Sequence, residues 1–460
     1  MRILRKTTII CVFLFFLLIL LFTQVIWNFD EESFFMEDGA RWSDNNRENP
    51  GQIFPEDERL ERAAVNIKYP IILWWTGFTG ERGRLKTCGE RKCFFTVNRN
   101  FKDHPWLKVF MFYGTDFKIK DLPLPRKNHH QWALLHEESP KNNYILTQPD
   151  CLHLFNYTST FKRHSDYPLT TQYLPSLEDL TSRKFFVQTP DKSKDGVALV
   201  LYVHSDCNPP SDRDSYVKEL MKYIKVDALG KCLHNKDLPE SLQDPLTMDK
   251  EEFKHIIAKY KFTLAIENAL CDDYITEKFW RPLTLGSVPI YKGSSTIRDW
   301  FPTEKSAILI DDFKNPQNLA EYLLYLDKNV DEYNKYLEVK QTGKITNSML
   351  VETMRKREWG VDDYNRMNFI DGFECMVCNS LHDDIEALKR KRYRKHVAQP
   401  NHLDCPKPEL YRSYSIMSNM WARMYETTKG KARALRELVL MGKNFTRTDF
   451  YNKMFDDESS

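Results

Sequence analysis

No G-x-G-x-x-G stands after a strand-like run in these 460 residues, so the dinucleotide-binding fingerprint of a dehydrogenase is missing. Charge of one sign is missing too. With 67 basic residues against 65 acidic ones and a formal net charge of +2, no global field argues for nucleic acid or another polyanion as partner. A second C-x-x-C and histidine pairs at ligand spacing are absent, which leaves Cys375-Met376-Val377-Cys378 as half a zinc site and favours disulfides. Between Thr7 and Phe29 there is no charged residue, and Ile9 to Leu21 is wholly apolar, enough for a helix that spans a bilayer. That run also lacks a small-x-small exit, since Gln24 to Asn28 is bulky, so an uncleaved signal anchor is favoured over a cleaved signal peptide.

Arg2, Arg5 and Lys6 precede the apolar run, and Asp30, Glu31 and Glu32 follow it. Basic residues favour the cytosolic side, which predicts a cytosolic tail at 1–6, a transmembrane helix at 7–29 and a lumenal bulk. Asp30 to Arg62 is polar and poor in aliphatics, as a stem over 30–66 would be. Beyond it, 42% hydrophobic and 13% aromatic content supports a large core, and the length suggests two domains of roughly 150 to 200 residues. Nine cysteines lie outside the apolar run, an odd number, so at least one thiol is free or paired between chains. The sequons at Asn156 and Asn444 are glycosylation candidates in a secretory lumen.

The chemistry concentrates in Tyr260 to Gly293. Lys261 to Ile266 reads as a buried strand, with Glu267 and Asn268 at its carboxyl end, where open α/β sheets bind ligands. A turn through Cys271 to Asp273 leads to a helix over Tyr274 to Leu285 that carries Glu277 and Lys278 near its start. A carboxylate suits ribose hydroxyls and an ammonium suits a diphosphate. Upstream, Val197 to Val203 reads as a parallel strand, and Ser211 with Asp214 forms a capping-box-like helix start that places Arg213 in the first turn, a site for phosphate. Asp212-Arg213-Asp214 imitates a D-x-D metal signature, but the capping pattern uses its carboxylates, and Arg213 with Lys278 can neutralise a leaving group without metal. In the first half, Tyr69 to Thr76, Leu107 to Phe112 and Trp132 to Leu135 read as strands. After the third of them stand Glu137 and Glu138; a glutamate there can take a proton from an attacking hydroxyl, or merely cap a turn before Pro140. His164, in a loop, is the other titratable candidate of this half.

Glu267-Asn268, Asp273-Tyr274, Thr276-Glu277-Lys278, Trp280-Arg281, Gly286 and Val288-Pro289 together resemble the signature of the α-1,3-fucosyltransferases, glycosyltransferase family 10. Tyr113-Gly114-Thr115-Asp116, Glu138-Ser139-Pro140 and Phe155-Asn156-Tyr157-Thr158 resemble its divergent vertebrate branch, alpha-(1,3)-fucosyltransferases 10 and 11. The resemblance implies an α/β chain of GT-B type, with two facing Rossmann-like domains: an acceptor-side domain over 67–190, a GDP-fucose-binding domain over 191–380, and an extension over 381–460. It implies GDP-fucose as donor, no required metal or cofactor, Glu138 as base with Glu137 as its neighbour, and Arg213, Glu267, Asn268, Tyr274, Glu277 and Lys278 around the donor. It also implies that Cys375 and Cys378 pair back toward Cys88 and Cys93. Asp206, Ile266 and Ala269 depart from the pattern of many relatives. The expected reaction is inverting transfer of L-fucose to a secretory-pathway glycoprotein, at the GlcNAc of an N-glycan. A serine or threonine of a folded domain is the alternative acceptor, and a non-catalytic lumenal binding protein is the alternative from another class. The expected location is the Golgi or endoplasmic reticulum membrane, single-pass type II, with the membrane met through the amino-terminal helix.

Overall fold

Ile71–Thr76 reads Ile-Ile-Leu-Trp-Trp-Thr, and a strand with no polar face has to be covered on both sides. In the computed structural model, which describes residues 67–455 apart from 78–82, 195, 245–246, 362, 364 and 412–418, this run is strand β1 and all six residues are buried. The described residues belong to one unit, Arg62–Ser460. The expected tail, anchor helix and stem lie outside them. No helix among the described residues is long and apolar enough to cross a membrane.

A first sheet joins β1 to β2 (Arg84–Cys88), β3 (Arg91–Thr96), β4 (Leu107–Tyr113), β5 (Gln131–His136) and β6 (Tyr157–Thr160) in the order β2-β3-β1-β4-β5-β6. All its pairings are parallel except the β2–β3 hairpin, which turns through Gly89 at φ 65°, a conformation that favours glycine. A second, wholly parallel sheet joins β7 (Val200–Tyr202), β8 (Val226–Ala228), β9 (Phe262–Ile266), β10 (Val288–Lys292) and β11 (Ile308–Leu309) in the order β11-β10-β9-β7-β8. The chain is therefore α/β, with one mostly parallel sheet and one wholly parallel sheet.

Among the helices that flank the sheets and their loops are α1 (Arg213–Leu220), α2 (Glu277–Leu285), α3 (Pro316–Lys328), α4 (Phe369–Lys389), α5 (Met420–Leu440) and α6 (Arg447–Phe455). The Thr276 hydroxyl caps α2 by accepting from the Lys278 amide, and Gly286 ends it at φ 75°. The helix thus starts three residues later than the acidic residues suggested. Asn315 caps α3 by accepting from the Asn318 amide. The capping box expected at Ser211 is not formed. Ser211 Oγ donates instead to the Glu267 carbonyl at 2.6 Å, and Asp214 accepts from Tyr202 Oη at 2.6 Å and the Asn208 amide at 2.7 Å.

α4 returns to the first sheet and is fixed there by Cys88–Cys375 and Cys93–Cys378, the partners that the resemblance implied. Glu374, buried on this helix, accepts from Trp74 Nε1 at 2.8 Å and Lys86 Nζ at 2.7 Å. Two further disulfides, Cys207–Cys232 and Cys271–Cys405, leave Cys151 as the free, buried thiol among the described cysteines. α5 begins at Met420, under an Asn419 cap. Its Leu435 and Val439 join Ile145, Leu146 and Leu152 in the core of the first lobe.

Candidate active site

The carboxyl ends of β5, β7 and β9 carry the polar residues, as parallel α/β sheets require of a ligand cleft. Glu137 and Glu138 follow β5, and alternation in extended chain sends their side chains to different surroundings. Glu137 is 7% exposed. Its Oε1 accepts from Tyr113 Oη at 3.1 Å while Oε2 has no partner, and burial, with Glu138 beside it, pushes its carboxyl up to about 7. Glu138 is half-buried; its Oε1 accepts from Tyr173 Oη at 3.4 Å and its Oε2 from the Ser139 amide at 3.3 Å. Ser139 caps the short turn after it by accepting from the Lys141 amide at 3.2 Å. Tyr173 was not foreseen. It lies close enough to Glu138, Glu277 and Glu137 for burial and those charges to hold its phenol well above the usual range.

Arg213 opens α1 at 2% exposure. Its Nη1 donates to the Ile266 carbonyl at 3.1 Å and its Nη2 to the Asp206 carbonyl at 2.6 Å, so the guanidinium is clamped between the ends of β9 and β7. Its Nε is buried without a partner. His204, at the end of β7, is held neutral by burial and then by the charges of Arg213 and Lys278. Two cations beside a neutral imidazole give this end of the sheet a local field that favours an anion.

Glu267 follows β9 at 0% exposure. Its Oε1 accepts from the Thr276 amide at 2.7 Å and its Oε2 from Thr276 Oγ1 at 2.8 Å; Lys278 Nζ stands 3.6 Å from Oε2. The structure thus puts its carboxylate behind the start of α2, where it orients Thr276 and Lys278. Lys278 Nζ also donates to Glu277 Oε1 at 3.0 Å. Burial would raise Glu277, but Lys278 and Arg281 hold it at about 2. Asn268 keeps a buried Oδ1 without a partner. Tyr274 is buried edge-on to Phe161 of the first lobe, with ring centroids 5.0 Å apart, and its phenol feels Glu138, Tyr173, Glu267 and Glu277. Glu138, Tyr173, Tyr274, Glu277, Lys278 and Arg213 therefore form one interlobe cluster.

Asp273, in the signature turn at φ 62°, accepts from Arg163 Nη2 at 2.6 Å, Arg163 Nε at 2.9 Å and Thr296 Oγ1 at 2.7 Å. This partly buried pair joins the lobes; sequence reading gave Arg163 no role, because nothing local marks its partner 110 residues on. Beside it lies a groove of about 790 Å³ lined by Arg163, Tyr167, Trp300 and Trp359. His164 is exposed. Asn156 is buried with both ends of its amide engaged, Oδ1 accepting from the Trp132 amide at 2.9 Å and Arg126 Nη2 at 2.8 Å, and Nδ2 donating to the His396 carbonyl at 2.6 Å. Its sequon is therefore closed in the folded chain, whereas Asn444 is exposed. Cys93, Cys378 and His382 have metal-ligand proximity, but the two sulfurs are bonded to each other.

Residues 67–173 match the family model described as Fucosyltransferase, N-terminal, and residues 191–398 match Glycosyltransferase family 10 (fucosyltransferase) C-term. The chain is 51% identical over 403 residues to GDP-fucose protein O-fucosyltransferase 3 of Canis lupus familiaris, covering 85% of this chain and 83% of that one. Against the Homo sapiens protein of that name it is 51% identical over 402 residues, with the same coverage of 85% and 83%. Against that of Danio rerio it is 50% identical over 414 residues, covering 87% and 90%. A solved α1,3-fucosyltransferase with GDP is 16% identical at a TM-score of 0.39, covering 69% of this chain and 91% of that one. These relatives carry the protein O-fucosyltransferase name, not those of the alpha-(1,3)-fucosyltransferase 10 and 11 branch that the short phrases suggested.

Proposed function

Since the chain belongs to glycosyltransferase family 10, the fucosyltransferases, we propose that it moves L-fucose from GDP-β-L-fucose to a serine or threonine hydroxyl of an acceptor protein. It is a GDP-fucose-dependent fucosyltransferase; the acceptor is the proposed part. The observation that carries it is half identity, across more than four-fifths of the chain, to proteins named GDP-fucose protein O-fucosyltransferase 3. The GlcNAc of an N-glycan, expected first, has no comparable support, and the binding-protein reading falls with membership of an enzyme family.

The two sheets serve as the cores of the facing lobes of a GT-B arrangement, with the acceptor on the first and the nucleotide on the second. In a single displacement, Glu138 takes the proton of the acceptor hydroxyl as its oxygen bonds to the anomeric carbon. The bond from that carbon to the β-phosphate oxygen breaks, and its electron pair leaves with GDP. Arg213 and Lys278 meet the charge that develops there without a metal ion, in a site whose burial strengthens them. Glu277 and Tyr274 hold the nucleoside, Asn268 offers its free Oδ1 to the donor, and Glu267 keeps Lys278 in place through Thr276. The same reading sets the enzyme in the lumen of the Golgi or endoplasmic reticulum, anchored by residues 7–29 as a type II protein.

Labelled GDP-fucose incubated with secreted proteins tests the acceptor. Label that survives N-glycan release and leaves by β-elimination is expected; label lost with the N-glycans sinks the protein-acceptor reading. Glu138→Gln is expected to lower kcat by about 10²- to 10⁴-fold with little change in donor KM, and unaltered kcat removes Glu138 from the role of base.

A further inference from the structure

The Glu138 loop and the Arg213 loop meet at an ion pair that transfer itself does not use. Lys141, three residues past Glu138, donates from Nζ to Asp206 Oδ1 at 2.7 Å. Asp206 Oδ2 lies 4.0 Å from Arg213 Nη2, the one carboxylate in ion-pair range of that guanidinium among the described residues. Trp421, on the first turn of α5, closes the third side. Lys141 Nζ sits 5.7 Å from its ring centroid, and its indole N–H donates to the Asn208 carbonyl at 3.0 Å, two residues after Asp206. One ammonium thus stands where the first lobe, the second lobe and the carboxyl-terminal extension meet.

A bare carboxylate at Asp206 would harm donor binding twice. It would repel an entering diphosphate, and it would draw Arg213 toward itself. Lys141 answers both by taking the carboxylate. With side chains 21% and 43% exposed, the pair is too wet to contribute much to folding, so its consequence is sought at the ligand. We propose that Lys141 is a positioning residue for the donor: by pairing with Asp206 it offsets the carboxylate that stands 4.0 Å from Arg213 Nη2, so the charge of the clamped guanidinium is kept for the diphosphate. The extension then acts on donor affinity through Trp421, which holds Lys141 against that loop.

This inference rests on the donor reading of Arg213, and titration of GDP into the detergent-solubilised full-length chain separates the two. K141M is expected to weaken GDP binding about fivefold, K141R to stay within about twofold of wild type, D206N to bind no more weakly than wild type, and K141M/D206N to recover wild-type affinity. K141M matching wild type, or a loss that persists in the D206N background, overturns the inference and leaves the donor reading standing. Wild type that fails to bind GDP overturns both. An affinity loss shared by K141R and accompanied by a fall in Tm of more than about 5 °C assigns Lys141 a structural role and also overturns it.

Discussion

Glu137 and Glu138 show how one peptide bond can separate two kinds of carboxyl. Glu138 keeps a half-exposed carboxylate toward the cluster that joins the lobes, while Glu137 is enclosed with one oxygen unpartnered and its carboxyl pushed up to about 7. Because the folded chain binds the Glu137 proton more tightly than the unfolded chain does, the associated stability is complete below pH about 4.5 and is lost as pH rises through about 7. Glu137→Gln cannot ionise. Between pH 4.5 and 8 the wild type is therefore expected to lose on the order of 3 kcal/mol relative to this variant, read from denaturant midpoints at each pH. Parallel curves for the two proteins would place Glu137 in a wetter, ordinary setting. Sequence could name both glutamates as candidates, but not sort them, since burial depends on Tyr113 from the neighbouring strand.

At the scale of elements, the turn between β9 and α2 is held by its own acids. Glu267 fixes the start of α2, and Asp273 fixes the turn to Arg163 of the other lobe. Burial would raise the Asp273 carboxyl, yet Arg163 and Thr296 hold it below the usual range. Its contribution is therefore present above the unfolded value and is lost as pH falls through the lower folded one. Asp273→Ala strands a partly buried guanidinium, with an expected cost of about 3 kcal/mol in urea unfolding at pH 7 and a smaller cost at acidic pH. A variant within about 0.5 kcal/mol of wild type at pH 7 would mean that the pair does not tie the lobes. β1, β4, β5 and β9 were legible because buried parallel strands are apolar at nearly every position. The β2–β3 hairpin was not. Arg84, Leu85 and Lys86 are open or half-open to solvent, and their partners Asp371 and Glu374 come from α4, almost three hundred residues away.

For the whole molecule, the returning chain is as much a part of the first lobe as the strands are. The odd cysteine count correctly called for an unpaired thiol, but which one was unreadable: Cys271–Cys405 spans 134 residues, and Cys151 is enclosed on a segment packed against α5. The start of α5 escaped notice because its first turns set exposed Met420 and Met424 among polar residues, so the apolar stripe becomes regular only near Ala432. That stripe decides how the extension can be tested. Removing it would uncover Ile145, Leu146 and Leu152, so a truncated chain losing activity would say nothing about acceptor choice. Single substitutions separate the two effects. Leu435→Ala, at a fully buried position, is expected to lower stability by about 2 to 5 kcal/mol, whereas Met424→Ala, 43% exposed on the same helix, should stay within about 0.5 kcal/mol of wild type. Thermal unfolding of both variants checks this, and equal Tm values would mean that α5 is not packed into the first lobe. With Leu435 confirmed as core, a change in acceptor preference by Met424→Ala at unchanged Tm would belong to the surface of the helix, not to a damaged fold.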